Sequence, residues 1–292
     1  MKRKVHGLLI CFLMVFMLFP VTARADMGPK PSVHITFENM GDEVCYGTLL
    51  SRTESTGPAS AWDGNPEHIY TGQFDREIWQ AFVDYEDADG YYFLQRSWLC
   101  SESKQLDWTY YPPSSFKILL YYPELDTFAV SGICERYAFD SYFTVDLDGV
   151  GIGAVGAVIA AEESYNYMWE MVSLVCRVVI TILLELGVAL LFGLRQKKLI
   201  AVILYINIVT QIGLNVLLNI INYSRGSASF VVFYVLLEIV VLAAEVAAYL
   251  ALFPRRSAVC ISKKKIVLYA AVANLVSFIG GMGIARLIPG IF

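Results

Sequence analysis

Leu199-Ile200-Ala201-Val202-Ile203-Leu204-Tyr205-Ile206-Asn207-Ile208-Val209-Thr210-Gln211-Ile212-Gly213-Leu214-Asn215-Val216-Leu217-Leu218-Asn219-Ile220-Ile221 is apolar throughout, apart from Thr210 and a ladder of four amides spaced four residues apart. Crossing a hydrocarbon core of about 30 Å takes roughly 20 helical residues, so this stretch reads as a membrane-spanning helix. The four-residue spacing stacks Asn207, Gln211, Asn215 and Asn219 on one face. Lipid offers amides no partner, and that face must therefore turn towards other helices.

Three further segments are long and apolar enough to do the same, so the spans fall near 172–194, 199–221, 231–253 and 266–288. Each carries its own polar stripe: Arg177, Thr181 and Glu185 in the first, Glu238 and Glu245 in the third, Asn274, Ser277 and Gly281 in the fourth. Facing stripes give a four-helix bundle with a polar axis, and its candidate functional cluster is Arg177, Glu185, Asn207, Gln211, Asn215, Glu238, Glu245 and Asn274. Counted inward from the span ends, Arg177, Asn215, Asn219 and Glu238 lie in the outer half, Glu185 and Gln211 near the middle, and Asn207, Glu245 and Asn274 in an inner layer. Arg177 is the natural charge partner of Glu238 or Glu185. Glu245 has no cation at its level and is expected neutral or reached by water. An ionisable group at bilayer depth costs about 3 kcal/mol on insertion scales, so three glutamates suggest a polar pathway or cavity. The alternative is adhesion, in which interhelical hydrogen bonds of about 0.6–2 kcal/mol each hold the helices together.

Topology follows from two separate signals. Residues 1–25 open Met1-Lys2-Arg3-Lys4, continue through an apolar stretch and end Ala23-Arg24-Ala25, a signal peptide with cleavage expected between Ala25 and Asp26. The linker after the first span holds Arg195, Lys197 and Lys198, and that after the third holds Arg255, Arg256, Lys263, Lys264 and Lys265, whereas the middle loop has only Arg225. Basic loops stay in the cytoplasm, which places residues 26–165 and the C-terminus outside. Charge divides at the same point: residues 26–165 carry 7 Lys/Arg against 23 Asp/Glu, and residues 166–292 carry 11 against 4. An acidic outer domain argues against a nucleic-acid partner, which needs a basic surface.

The outer part is long enough for one domain with its own core. Val33–Phe37, Phe116–Tyr122 and Tyr142–Leu147 are β-branched and aromatic runs bounded by turn residues, and read as strands; residues 75–83 carry apolar positions at helical spacing behind an acidic first turn. The expected fold is a β-rich, α+β, sandwich-like extracellular domain over 26–165, followed by an all-α four-helix transmembrane domain over 166–292. Cys45, Cys100 and Cys134 form an odd set, compatible with one disulfide or with three buried thiols.

Chemical signatures are sparse. Gly151-Ile152-Gly153-Ala154-Val155-Gly156 fits a dinucleotide loop, but no βαβ unit follows it. The acidic run Asp84, Glu86, Asp87, Asp89 before Gly90 puts Tyr85 and Arg96 at the first and twelfth positions of a calcium loop, both wrong, and reads as a solvated turn. Beyond the leader only His34 and His68 occur, which leaves little material for a zinc site or serine triad, and residues 166–292 contain neither His nor Asp. No catalytic residue, metal or cofactor is assigned.

The segments Asp26–Ser32, Glu135–Phe143 and Asn207–Asn215 resemble those of a family of uncharacterised Gram-positive membrane proteins. The resemblance covers both halves of the chain and implies a bacterial cell-surface location with the same two-part architecture, and no particular chemistry. The expected role is non-enzymatic. The outer domain binds a wall component or small molecule, and the bilayer-embedded helices couple that event to a membrane-protein partner or a second copy. The alternatives are a small transporter or proton-coupled channel using the glutamates and, more weakly, an envelope hydrolase.

Overall fold

A computed structural model describes residues 28–69, 75–153 and 156–287, with side chains to Gly283. The expected leader and its Ala25/Asp26 cleavage point lie outside these residues. The described N-terminal part is β-rich, and long helices follow it.

One mixed sheet is built from β1 (Ser32–Glu38), β3 (Gln105–Trp108), β6 (Asp140–Asp146) and β8 (Ala161–Glu163), in the order β8-β6-β1-β3. The other runs β7 (Ala157–Ile159), β5 (Thr127–Ser131), β4 (Ser115–Tyr122), β2 (Tyr46–Ser51), with Tyr92–Phe93 at its far edge. β1 pairs in parallel with β6 from Ser32↔Asp140 to Glu38↔Asp146, and antiparallel with β3 through Val33↔Trp108. Alternation in β1 sends Val33, Ile35 and Phe37 inward. They meet Phe116, Ile118, Leu120 and Tyr122 of β4 in a core shared by both sheets.

β4 is buried on both faces because its other side lies beneath α1 (Arg76–Asp84). Asp75 caps that helix, accepting from the amides of Glu77 and Ile78 at 3.0 and 3.3 Å. Ile78, Trp79 and Phe82 then pack on Leu50, Phe93, Leu119 and Tyr121.

The acidic turn is not simply solvated. Lys117 of β4 emerges beside it and donates to Asp87 at 2.8 and 3.0 Å and to Asp89 at 2.5 Å, with the Asp87 side chain 1% exposed. Burial works against the Asp87 carboxylate, but the Lys117 ammonium and the amides of Tyr91 and Asp89 outweigh it and hold its pKa below the ordinary range. The sequence showed the excess of acid; it did not show that the one cation in a buried strand would reach it. Cys45, Cys100 and Cys134 are free and buried, and burial pushes the Cys45 thiol up to about 12.

Among the described residues, three helices are long and apolar enough to cross a membrane: α2 (Tyr167–Leu191), α3 (Lys197–Arg256) and α4, which runs Lys263–Leu287 and qualifies over Lys263–Gly283. The separate stretches expected at 199–221 and 231–253 fall within one 60-residue element, α3, interrupted at Gly226 (φ 78°, ψ 174°), where two helices meet across a kink. The loop expected between them is absent because one glycine reverses the direction. The two limbs lie antiparallel: Asn207 reaches Tyr249, Thr210 reaches Glu245, and Leu214 and Leu218 pack with Val241.

The hairpin tip touches the β-rich part. Ser141, fully buried, accepts from the amides of Tyr137 and Ala138 at 3.2 and 3.1 Å, shaping a turn that projects Phe139. The Phe139 amide donates to the Tyr223 carbonyl at 2.9 Å, and its ring covers Gly226. Tyr137 and Tyr165 lean on Tyr223 from two sides, with ring centroids 6.5 and 5.3 Å away.

Candidate functional site

Packing changes along the helices. Where α2 ends and α4 begins, Val188, Ile203, Tyr249, Phe253, Tyr269 and Ala273 form a continuous apolar core. Towards the hairpin tip the helices diverge, and a cavity of about 600 Å³ opens between α2, both limbs of α3 and α4. Volumes of about 300–1,000 Å³ are usual for small-molecule sites.

The polar residues singled out from the sequence divide between these two regions. Arg177, Gln211, Asn215 and Glu238 line the cavity together with Asn219. Glu185, Asn207, Glu245 and Asn274 lie below it in a buried network, in which Glu185 Oε2, Asn207 Oδ1 and Asn274 Oδ1 have no hydrogen-bond partner. There Thr210 and Asn274 donate to the two oxygens of Glu245 at 2.8 and 2.7 Å, and Asn207 donates to Tyr249 at 2.9 Å. Glu185 is fully buried and accepts from Ser277 at 3.5 Å. Asn274 gives its second N–H to the Ala270 carbonyl of its own helix, and the Ile206 carbonyl, 3.0 Å from Thr210 Oγ1, is the alternative acceptor for that hydroxyl's single proton.

Arg177 does not pair with Glu185 or Glu238 within salt-bridge distance among the described residues. Its Nη2 donates to Asn219 at 2.7 Å, and its guanidinium stands 5.8 Å from the Phe230 ring centroid. Two buried donors on the cavity wall, Arg177 Nε and Gln211 Nε2, have no hydrogen-bond partner. Such atoms are uncommon in buried sites and call for an explanation.

The cavity's apolar wall, including Leu214, Leu218, Phe230 and Phe278, was not legible as a site, since these residues have the composition of any lipid-facing surface. Gly280 does serve close helix contact, because a Cβ there would lie 2.7 Å from Leu184; Gly283 has open space around it.

A second constellation lies on the exposed face of β1. His34 contacts Ser32 Oγ through Nε2 at 2.8 Å and Asp107 through Nδ1 at 2.6 Å, the order of a hydrolase triad. The hydroxyl, however, gives its single proton to Asp140 at 2.5 Å, and the Ser32 amide is committed to the Phe139 carbonyl. The imidazole therefore does not take the hydroxyl's proton. The arrangement ties β1 to β3 and β6 beside the Phe139 turn and does not prepare a nucleophile.

Comparison with family models, curated proteins and solved structures finds no match.

Proposed function

We propose that the chain is a non-enzymatic cell-surface membrane protein that couples an event at its outer domain to the helices below. The three apolar helices cross the membrane, α3 twice, giving four crossings with the β-rich domain outside. Support comes from outward faces that remain apolar, with Leu183 64% and Val240 61% exposed, while the amides and glutamates turn inward. Basic residues collect at the end remote from the β-rich part, in agreement with the positive-inside rule.

The observation that carries the reading is the seat of Phe139 on Gly226. A residue immediately before β6 donates its amide to the Tyr223 carbonyl and lays its ring over Gly226, where α3 reverses, so displacement of the outer domain bears directly on the angle between the limbs. Both limbs line the cavity, so their angle sets its width. With short intracellular loops the protein passes its response to another membrane protein or to a second copy. The test is mild-detergent copurification after brief crosslinking. A membrane-protein partner or defined homo-oligomer lost in Phe139→Ala supports coupling; an assembly indifferent to Phe139 contradicts it.

The cavity also favours a second reading, a small transporter, with Glu238 in its wall. That reading requires Glu238→Gln to abolish flux in proteoliposomes at unchanged protein level.

A further inference from the structure

The cavity combines two features that the coupling role alone does not need. Its walls are mainly apolar, and its unsatisfied polar atoms are both donors. Arg177 is 6% exposed and Gln211 2% exposed; both residues line the cavity, and each keeps a buried N–H that no protein atom accepts. A buried donor left without a partner is costly, about 1–3 kcal/mol and more when charged. Of the acids lining the cavity, Glu170 accepts from the Tyr165 hydroxyl at 2.8 Å, and neither it nor Glu238 lies within salt-bridge distance of Arg177 among the described residues. The remaining demand is for an acceptor bearing negative charge, attached to something apolar.

We infer that this cavity binds a single-chain anionic amphiphile, its carboxylate or phosphate head held by the Arg177 and Gln211 side chains and its chain lying along Leu214, Leu218 and Phe278. The inference rests on the reading that these helices lie in a membrane, which supplies such molecules by lateral diffusion. Glu170, Trp169 and Asn222 line both this cavity and a smaller one at the junction, whose walls also include Asp140 and Tyr142 of β6. An occupant would therefore touch the same residues through which the outer domain meets the helices.

The test uses the full chain in phosphatidylcholine vesicles and a dibrominated stearate, which quenches tryptophan on contact. Trp169 is on the cavity wall, whereas the other tryptophans belong to the β-rich part, and a Trp169→Phe protein supplies the background. Saturable quenching of Trp169 is expected, reversed by unbrominated stearate and not by inorganic phosphate. Arg177→Gln and Gln211→Leu should each raise the half-saturating concentration about tenfold, the scale of one lost charge-assisted hydrogen bond. Val231→Phe, at a mostly exposed rim position that tolerates substitution, should do the same by narrowing the entrance. Trp169 is itself partly exposed, and quenching by ordinary surrounding lipid would be indifferent to all three changes; that result overturns the inference. Relief by inorganic phosphate at matching concentration overturns its apolar half, pointing to a free anion. Either failure leaves the Phe139 dependence of the assembly untouched, so loss of the ligand and loss of the coupling role are separable.

Discussion

Replacing Gly226 with alanine should loosen the molecule at the junction of its two parts. The cost has two sources. First, φ 78° with ψ 174° belongs to a region open essentially only to glycine, and other residues held there pay about 1–3 kcal/mol. Second, the new Cβ would sit 2.5 Å from Cδ1 and Cε1 of Phe139 and 3.2 Å from Cγ, so the ring must leave its seat. Overpacking of this kind costs about 1–3 kcal/mol, for a total of about 2–6 kcal/mol. At about 2 °C per kcal/mol for a chain of this size, Gly226→Ala should lower the melting temperature by about 4–12 °C in a mild detergent. The double variant Gly226→Ala/Phe139→Ala removes the collision and keeps the backbone strain. It should therefore melt higher than the sum of the single effects requires, by about 1–3 kcal/mol of coupling. Melting of Gly226→Ala at the wild-type temperature, or strict additivity in the cycle, would refute the reasoning.

Lys117→Met should destabilise the β-rich domain by about 3–5 kcal/mol near neutral pH, because Asp87 is left buried without its cation. The depressed Asp87 pKa contributes stability above about pH 4 that is lost as pH falls through the folded value, so wild-type and variant melting temperatures should converge in acid; a constant gap would count against the ion pair. Glu245→Leu removes two interhelical bonds but leaves Thr210 and Asn274 their backbone acceptors, so it should still insert and fold, costing about 1–2 kcal/mol. Loss of the protein from membranes would show that the carboxyl does more than join helices. Cys260 is exposed in the basic turn between α3 and α4, and an impermeant maleimide should label it only after permeabilisation; labelling of intact cells would invert the topology. A fluorophosphonate should fail to label Ser32, whose proton belongs to Asp140; labelling would revive the hydrolase reading.

Much of the helical part was readable because long apolar helices with a polar stripe follow simple rules. Long apolar runs and four-residue polar spacing picked out the helices and the residues on their inner faces, Asn207, Gln211 and Asn215 among them. What periodicity could not show was that these residues would separate into a buried network and an open cavity. That depends on how far the limbs of α3 diverge, which is set by Phe230, Tyr234 and Phe278, indistinguishable in sequence from lipid-facing residues. The Gly226 reversal was hidden because Ser224-Arg225-Gly226-Ser227 has the composition of an ordinary loop, while the helix continues to both sides of a single residue. In the β-rich part, a β-branched and aromatic run bounded by turn residues located β1, and apolar positions at helical spacing behind an acidic first turn located α1. The partners of Lys117 and the projection of Phe139 arise from contacts distant in sequence, which no local pattern encodes.

The central claim, that the β-rich domain is seated on the α3 hairpin, can be measured directly by disulfide trapping in native membranes. Phe139→Cys and Tyr223→Cys, with Cys176 and Cys260 replaced by serine, place two thiols on residues joined by a 2.9 Å backbone hydrogen bond that survives both substitutions. Residues that exchange a backbone hydrogen bond across paired strands lie about 5.5 Å apart at Cα, inside the range of about 4.4–6.8 Å that a disulfide spans. Under mild oxidation the account predicts rapid crosslinking, seen as fragments that stay joined until reduced after cleavage at a protease site engineered near Gly193. Normal expression without a crosslink would mean that the two parts are not docked, and the coupling mechanism would fail with that result.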